Sequence, residues 1–151
     1  MKERILEKWM FHEVKIKSVT VRVVDILFIL CIWALAGLAR IKLLYIETPD
    51  YTDAFGPWMQ QIRANGGFKA LGTAMGDYTS PYLYLMCLVS YFVSYDLYAL
   101  KFISIVFDYV ACIAVFAIVW QHTHSLKKSI LGMSMLLLSP AVLVNGAYWC
   151  Q

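Results

Sequence analysis

Asp50 and Asp53 stand three residues apart in the stretch Asp50-Tyr51-Thr52-Asp53-Ala54-Phe55-Gly56-Pro57-Trp58, directly after the first long apolar run of a 151-residue chain. Two carboxylates at the mouth of an apolar segment open two kinds of chemistry. A carboxylate held against a lipid surface is partly desolvated, which suits it to take a proton as a general base. The two together could also offer oxygen ligands to a hard divalent cation, although two ligands make a weak shell. The same spacing equally describes a solvated cap and turn, since Pro49 favours a turn around Asp50 and Asp53 can cap a following helix.

Four further groups could join such a centre. Arg40 and Lys42 fall near the end of the first apolar run, where their long stems can snorkel to the interface, or where one of them can face an anionic substrate beside Asp50. Lys101 and Asp108 lie seven apart in a later apolar run and so share a helix face. Charges inside a membrane are costly enough to be functional candidates by default. Lys101, toward the outer end, suits a phosphate; Asp108, deeper, suits pairing with a neighbouring helix, and structural pairing is an equal reading for both. Tyr82, Tyr84, Tyr91 and Tyr95 read as interface anchors more readily than as a binding box. His122 and His124 have no acidic or cysteine companions in their loop, and Cys31, Cys87, Cys112 and Cys150 have neither metal-ligand nor CxxC spacing. There is no Gly-rich phosphate loop, nucleophile elbow or zinc motif.

The elements that must position these groups follow from composition. With 61% hydrophobic and only 15% charged residues, the chain is too apolar for a soluble domain and reads as an all-α, polytopic membrane protein with three to four membrane helices. The net charge of +3 comes mainly from the N-terminus and one later loop, a pattern of orientation that offers nothing to a nucleic acid. Residues 1–24 carry an excess of basic charge and read as a cytoplasmic interfacial segment, a short helix whose Ile5, Leu6, Trp9, Met10 and Phe11 lie on the headgroups. Residues 25–46 make the first crossing, retained rather than cleaved as a signal peptide.

The external loop, about 47–79, is predicted to carry a helix running to about Ala64 with Phe55, Trp58, Met59 and Ile62 on one face, lying on the membrane. Asn65-Gly66-Gly67 stops it, and a short helical piece over 68–75 follows. The apolar run 81–94 is short for a crossing and reads as a segment that dips and returns, starting at Ser80-Pro81. The run 97–120 is full length and ends before Lys127 and Lys128, which the charge rule puts inside if 81–94 does not cross. A four-crossing arrangement is the alternative. The last run, 129–144, returns outward and places Trp149 and Gln151 on the side of Asp50.

Read together, Asp50-Tyr51 with Pro57-Trp58, Asn65-Gly66-Gly67-Phe68, Gly76-Asp77-Tyr78 with Pro81-Tyr82-Leu83-Tyr84, Lys101 with Asp108, and Ser139-Pro140 followed by Asn145-Gly146-Ala147-Tyr148-Trp149-Cys150-Gln151 form an ordered set. It resembles the integral-membrane glycosyltransferases of the GT-C type, and within them bacterial proteins similar to the second-mannose mannosyltransferases of GPI-anchor synthesis. The resemblance covers nearly all of the chain after residue 25. It implies a hexosyltransferase of the bacterial cell membrane that moves a sugar, mannose in the family, from a polyprenyl-phosphate donor to an acceptor on the outer face. An acidic residue of the first external loop then acts as catalytic base. Asp50 matches that position best and Asp53 second. Arg40 and Lys101 become candidates to stabilise the departing phosphate, and Trp58, Asp77, Tyr78, Trp149 and Gln151 candidates to bind substrate. No cofactor follows beyond a possible divalent cation.

Two departures stand out. The family often reads Trp-Gly-Gln followed by a residue and an acid, where this sequence has Cys150 and stops at Gln151; and its members are longer, with more helices. The chain is therefore expected to be the N-terminal part of such an enzyme, inactive alone and partnered by the missing C-terminal part. A small non-catalytic membrane protein that assists or anchors a partner is the competing expectation.

Overall fold

A computed structural model describes residues 10–16, 19–73 and 79–149. They form a predominantly helical chain in two units, one of residues 1–38 and 110–139 and one of residues 39–109 and 140–151.

The first unit begins with an antiparallel hairpin of β1 (Glu13–Ile16) and β2 (Val19–Arg22), in which Glu13 pairs with Arg22 and Ile16 with Val19. Over residues 13–22 a hairpin thus stands where the sequence suggested an interfacial helix. The β-branched residues Val14, Ile16, Val19, Thr20 and Val21 lose rotamer freedom in a helix and favour extended backbone. Arg22 donates from Nε to Glu13 Oε1 across the hairpin at 3.2 Å, and its backbone N–H donates to Asp25 Oδ2 at 3.1 Å. That second bond satisfies a donor that the start of the next helix would otherwise leave open. The residues of the segment below Met10 lie outside the described residues.

Helix α1 (Val23–Ile41) follows. Ile26, Leu27, Phe28, Leu30, Leu35 and Leu38 are all exposed on it, so it is apolar nearly all round and needs an apolar solvent. Later come α4 (Asp96–Thr123) and, after a tight loop in which His124 adopts a positive φ of 47°, α5 (Leu126–Leu137). Gly132 lets α5 approach α4 closely, since a Cβ there would sit 3.2 Å from Val119.

In the second unit, turns over residues 42–45 follow α1, and helical backbone resumes at Pro49, a residue suited to a first helical position. A π-helical turn, Tyr51–Phe55, leads into α2 (Gly56–Ala64), then a 3-10 turn (Gly67–Gly72), α3 (Ser80–Ser90), the first half of α4, and α6 (Pro140–Val144) with a closing π-helical turn over Asn145–Trp149. The stop read at Asn65-Gly66-Gly67 is a real one: Gly66 and Gly67 have φ of 76° and 71°, the left-handed region that glycine enters without strain. The face expected to lie on lipid does not. Phe55, Met59 and Ile62 are buried against Met86, Cys87 and Val89 of α3 and Ala99, Leu100 and Ile103 of α4. The amphipathic face of α2 found a protein partner, which buries the same apolar area without needing the headgroup layer.

Among the described residues two helices, α1 and α4, are long and apolar enough to cross a membrane, or three spans if α5 and Pro140–Trp149 together make one. That is fewer than the three to four expected. The 11 residues of α3 reach about 16 Å, short of the roughly 30 Å of a hydrocarbon core, and the run after Ser129 breaks at Ser139-Pro140, where proline cannot continue a hydrogen-bonded helix. If α1 and α4 cross and α3 does not, Lys128 lies on the side of the N-terminus. A Lys128→Cys variant in sealed membranes should therefore react with an impermeant maleimide from the same side as a cysteine placed near residue 12. Labelling from opposite sides would establish an additional crossing.

Candidate functional site

Of the candidate residues from the sequence, Arg40, Asp50, Asp53, Trp58, Lys101 and Trp149 belong to the second unit; Asp77, Tyr78 and Gln151 lie outside the described residues. Asp50 is half-buried at the start of the first π-helical turn, with helical backbone angles of −60° and −37°. The turn therefore begins three residues earlier than a cap at Asp53 requires. Asp53 is exposed in its first turn and accepts from the Thr52 hydroxyl at 3.1 Å, while the same hydroxyl also bonds Pro49 O at 3.1 Å. Asp53 thus has a local, solvated role, and Asp50 is the less exposed carboxylate.

Trp58 is half-buried, edge-on to Phe55 with ring centroids 5.5 Å apart. It belongs to the wall of the core. Trp149, also half-buried, stands edge-on to Tyr148 at 5.1 Å in the closing π-helical turn.

The two cations face inward. Arg40 is only 2% exposed, and its Nη2 donates to Asp108 Oδ2 at 2.9 Å; Tyr109 lies beneath the guanidinium, 5.7 Å from ring centroid to Cζ. Lys42, two residues on, is exposed. Of the two charges that could have snorkelled, only Lys42 is placed to do so. Asp108 does pair with a neighbouring helix, and Gly146 closes the arrangement: a Cβ there would lie 2.3 Å from Asp108 Oδ2. Lys101 is fully buried, and its Nζ donates to Leu43 O at 2.6 Å and Ile46 O at 2.7 Å. These carbonyls follow the end of α1, where the last turn leaves acceptors without intrahelical donors and the helix dipole favours a cation.

Sequence reasoning missed Arg63. Its Nε donates to Asp96 Oδ1 at 2.6 Å, Nη1 to Ser90 O at 2.7 Å, and Nη2 to Val93 O. One side chain therefore caps the end of α3 and ties it to the start of α4. The signal was a lone arginine in the last turn of an amphipathic helix, which by itself also fits an ordinary dipole partner. Tyr91 is a second residue whose role was not foreseen. Its hydroxyl donates to Gly66 O at 3.1 Å and accepts from the Phe68 N–H at 3.3 Å. A Cβ on Gly67 would fall 2.1 Å from that hydroxyl. Within the same core, burial pushes the Cys87 thiol above its ordinary range, and its sulfur lies 3.6 Å from Gly67 O, so it behaves as a small packed group rather than a nucleophile.

Among the described residues, no group of three His, Cys, Asp or Glu side chains is placed to hold a metal ion. In comparisons with known proteins, no family model, curated protein or solved structure matches the chain.

Proposed function

We propose that the chain carries part of the reaction centre of a membrane glycosyltransferase that uses a polyprenyl-phosphate-linked sugar. The observation that carries this reading is the packing of Gly146 onto Asp108, itself paired with Arg40. It brings the Lys101 to Asp108 segment and the Asn145–Trp149 turn, two of the pieces on which the resemblance rests, together with Arg40 at the end of the first apolar helix, into the unit that also holds Asp50.

In this reading Asp50 takes the proton from the acceptor hydroxyl as its oxygen attacks the anomeric carbon. The bond from that carbon to the lipid phosphate breaks, and the phosphate leaves with the electron pair. Arg40 and Lys101 act as positioning residues, because their charges are engaged with Asp108 and with the carbonyls of Leu43 and Ile46. Lys101 anchors the turn four residues before Asp50, and so sets where that carboxylate stands.

The test is transfer of labelled sugar from a polyprenyl-phosphate donor by membranes expressing the protein from its full reading frame. Asp50→Asn should reduce transfer by about a hundredfold or more, the scale of a lost general base, with membrane expression unchanged and Asp53→Asn retaining most activity. Transfer that survives Asp50→Asn removes the assignment. The second reading, a non-catalytic membrane partner, is favoured by the structural engagement of both buried cations. It is the conclusion if the unsubstituted protein transfers no sugar yet purifies in a stable complex.

A further inference from the structure

On the second unit, Tyr45, Tyr51, Tyr95 and Tyr98 line a small cleft of about 210 Å³ together with Glu47 and Asp96. Tyr45 and Tyr98 stand almost perpendicular, with centroids 6.0 Å apart and planes at 86°, and Tyr95 leans on Tyr98 at 5.7 Å and 51°. In such an edge-to-face pair one ring presents its edge to a face of the other, so each ring still has a face that is not covered by its partner. No basic side chain lines the cleft. Asp96 gives Oδ1 to Arg63, which neutralises much of one charge, while Glu47 is exposed at the rim.

The order along the chain explains how the walls meet. Tyr45 and Glu47 follow the end of α1, Tyr51 opens the π-helical turn, and Tyr95, Asp96 and Tyr98 open α4. Lys101, one turn into α4, is bonded to the carbonyls of Leu43 and Ile46. It thereby holds the Tyr45 and Glu47 segment beside Tyr98. Tyrosines at a membrane boundary are commonly anchors that point their hydroxyls to water, and Tyr45 and Tyr95, 68% and 73% exposed, fit that role singly. An anchor needs no carboxylate. Four rings gathered around a concave, electronegative space with no cation in it have a different chemical complement.

We infer that this cleft binds an organic ammonium cation, of the quaternary or N-methylated kind. Ring faces attract a cation through the aromatic quadrupole, and methyl groups on the nitrogen spread its charge and fit apolar walls that would exclude a strongly hydrated ion. The volume of about 210 Å³ is ample for a trimethylammonium group and the short chain that carries it. That group could belong to a soluble amine or to a lipid headgroup, and the chemistry is shared. The inference does not depend on sugar transfer.

The experiment titrates choline into the purified full chain in a maltoside detergent, reading saturation transfer to the N-methyl protons by NMR. The uncharged isostere 3,3-dimethyl-1-butanol is run in parallel. Choline should bind and the isostere should bind at least several-fold more weakly. Tyr98→Leu should weaken choline about fivefold, the value of one well-placed ring, whereas Tyr98→Phe should keep it. Glu47→Gln, an exposed change that leaves the fold intact, should also weaken it, which keeps the test decisive if Tyr98→Leu misfolds. Competition of bound choline by vesicles with phosphocholine headgroups, but not by vesicles of phosphoglycerol alone, identifies a lipid source; no competition by either identifies a soluble one. Absent choline binding, equal affinity for the isostere, or indifference to both Tyr98→Leu and Glu47→Gln overturns the inference.

Discussion

Replacing Arg40 with Met is expected to lower the stability of the second unit by about 3–5 kcal/mol, the usual cost of leaving one member of a buried ion pair behind. Asp108 is the group left behind. It is 16% exposed by its side chain, sits against Gly146, and has the guanidinium of Arg40 at 2.9 Å. Without that partner its charge must be neutralised or hydrated inside an apolar helix, and either outcome costs folding free energy. Asp108→Leu should be harmful too, for the complementary reason that Arg40 then keeps a buried charge. The double variant Arg40→Met with Asp108→Leu should recover much of the loss, because apolar groups of similar volume often replace a buried pair with little penalty. The measurement is the midpoint of unfolding in an SDS titration for all four proteins, treated as a double-mutant cycle. Additive losses would mean that the two side chains do not act as a pair.

The same two residues show what the sequence could and could not disclose. Asp108 was legible as a helix-pairing charge, since an acid deep in an apolar run has few other affordable states. Its partner was not, because Arg40 and Lys42 sit two residues apart at a helix end and either could snorkel; the choice between them depends on which face of α1 meets α4, a property of packing. Gly66 and Gly67 were legible as a stop because left-handed backbone is a local property written in residue type. The apolar face of α2 was legible as a face, but its partner was not: a stripe of Phe55, Met59 and Ile62 fits lipid and fits Met86 and Leu100 equally well. For the hairpin, the basic charge of the N-terminal segment fits a headgroup-bound helix, while the β-branched residues between Val14 and Val21 favour extended backbone. Asp50 over Asp53 is a distinction of burial, and spacing alone left it open.

Lys101→Met should give the second large effect, about 3 kcal/mol or more, since hydrogen bonds from a charged group contribute about 1.5–3 kcal/mol each and two are lost. The side chain is fully buried, and its bonds to Leu43 O and Ile46 O are short, 2.6 and 2.7 Å. Methionine fills similar space but donates nothing, so Ile46 O loses its ammonium donor and Leu43 O is left with the Ile46 N–H at 3.3 Å. Lys101→Arg is the informative companion. It keeps the charge, but its larger planar guanidinium does not fit a pocket shaped for an ammonium with convergent carbonyl partners. It should therefore rescue only part of the loss. The effect should also be local: hydrogen exchange at residues 43–52 should quicken in Lys101→Met well before exchange at Met59 and Ile62, because the turn after α1 loses its anchor while the core of α2, α3 and α4 keeps its packing. Uniform quickening of both segments would mean that Lys101 supports the whole core instead of that turn, and would remove it as the residue that positions Asp50.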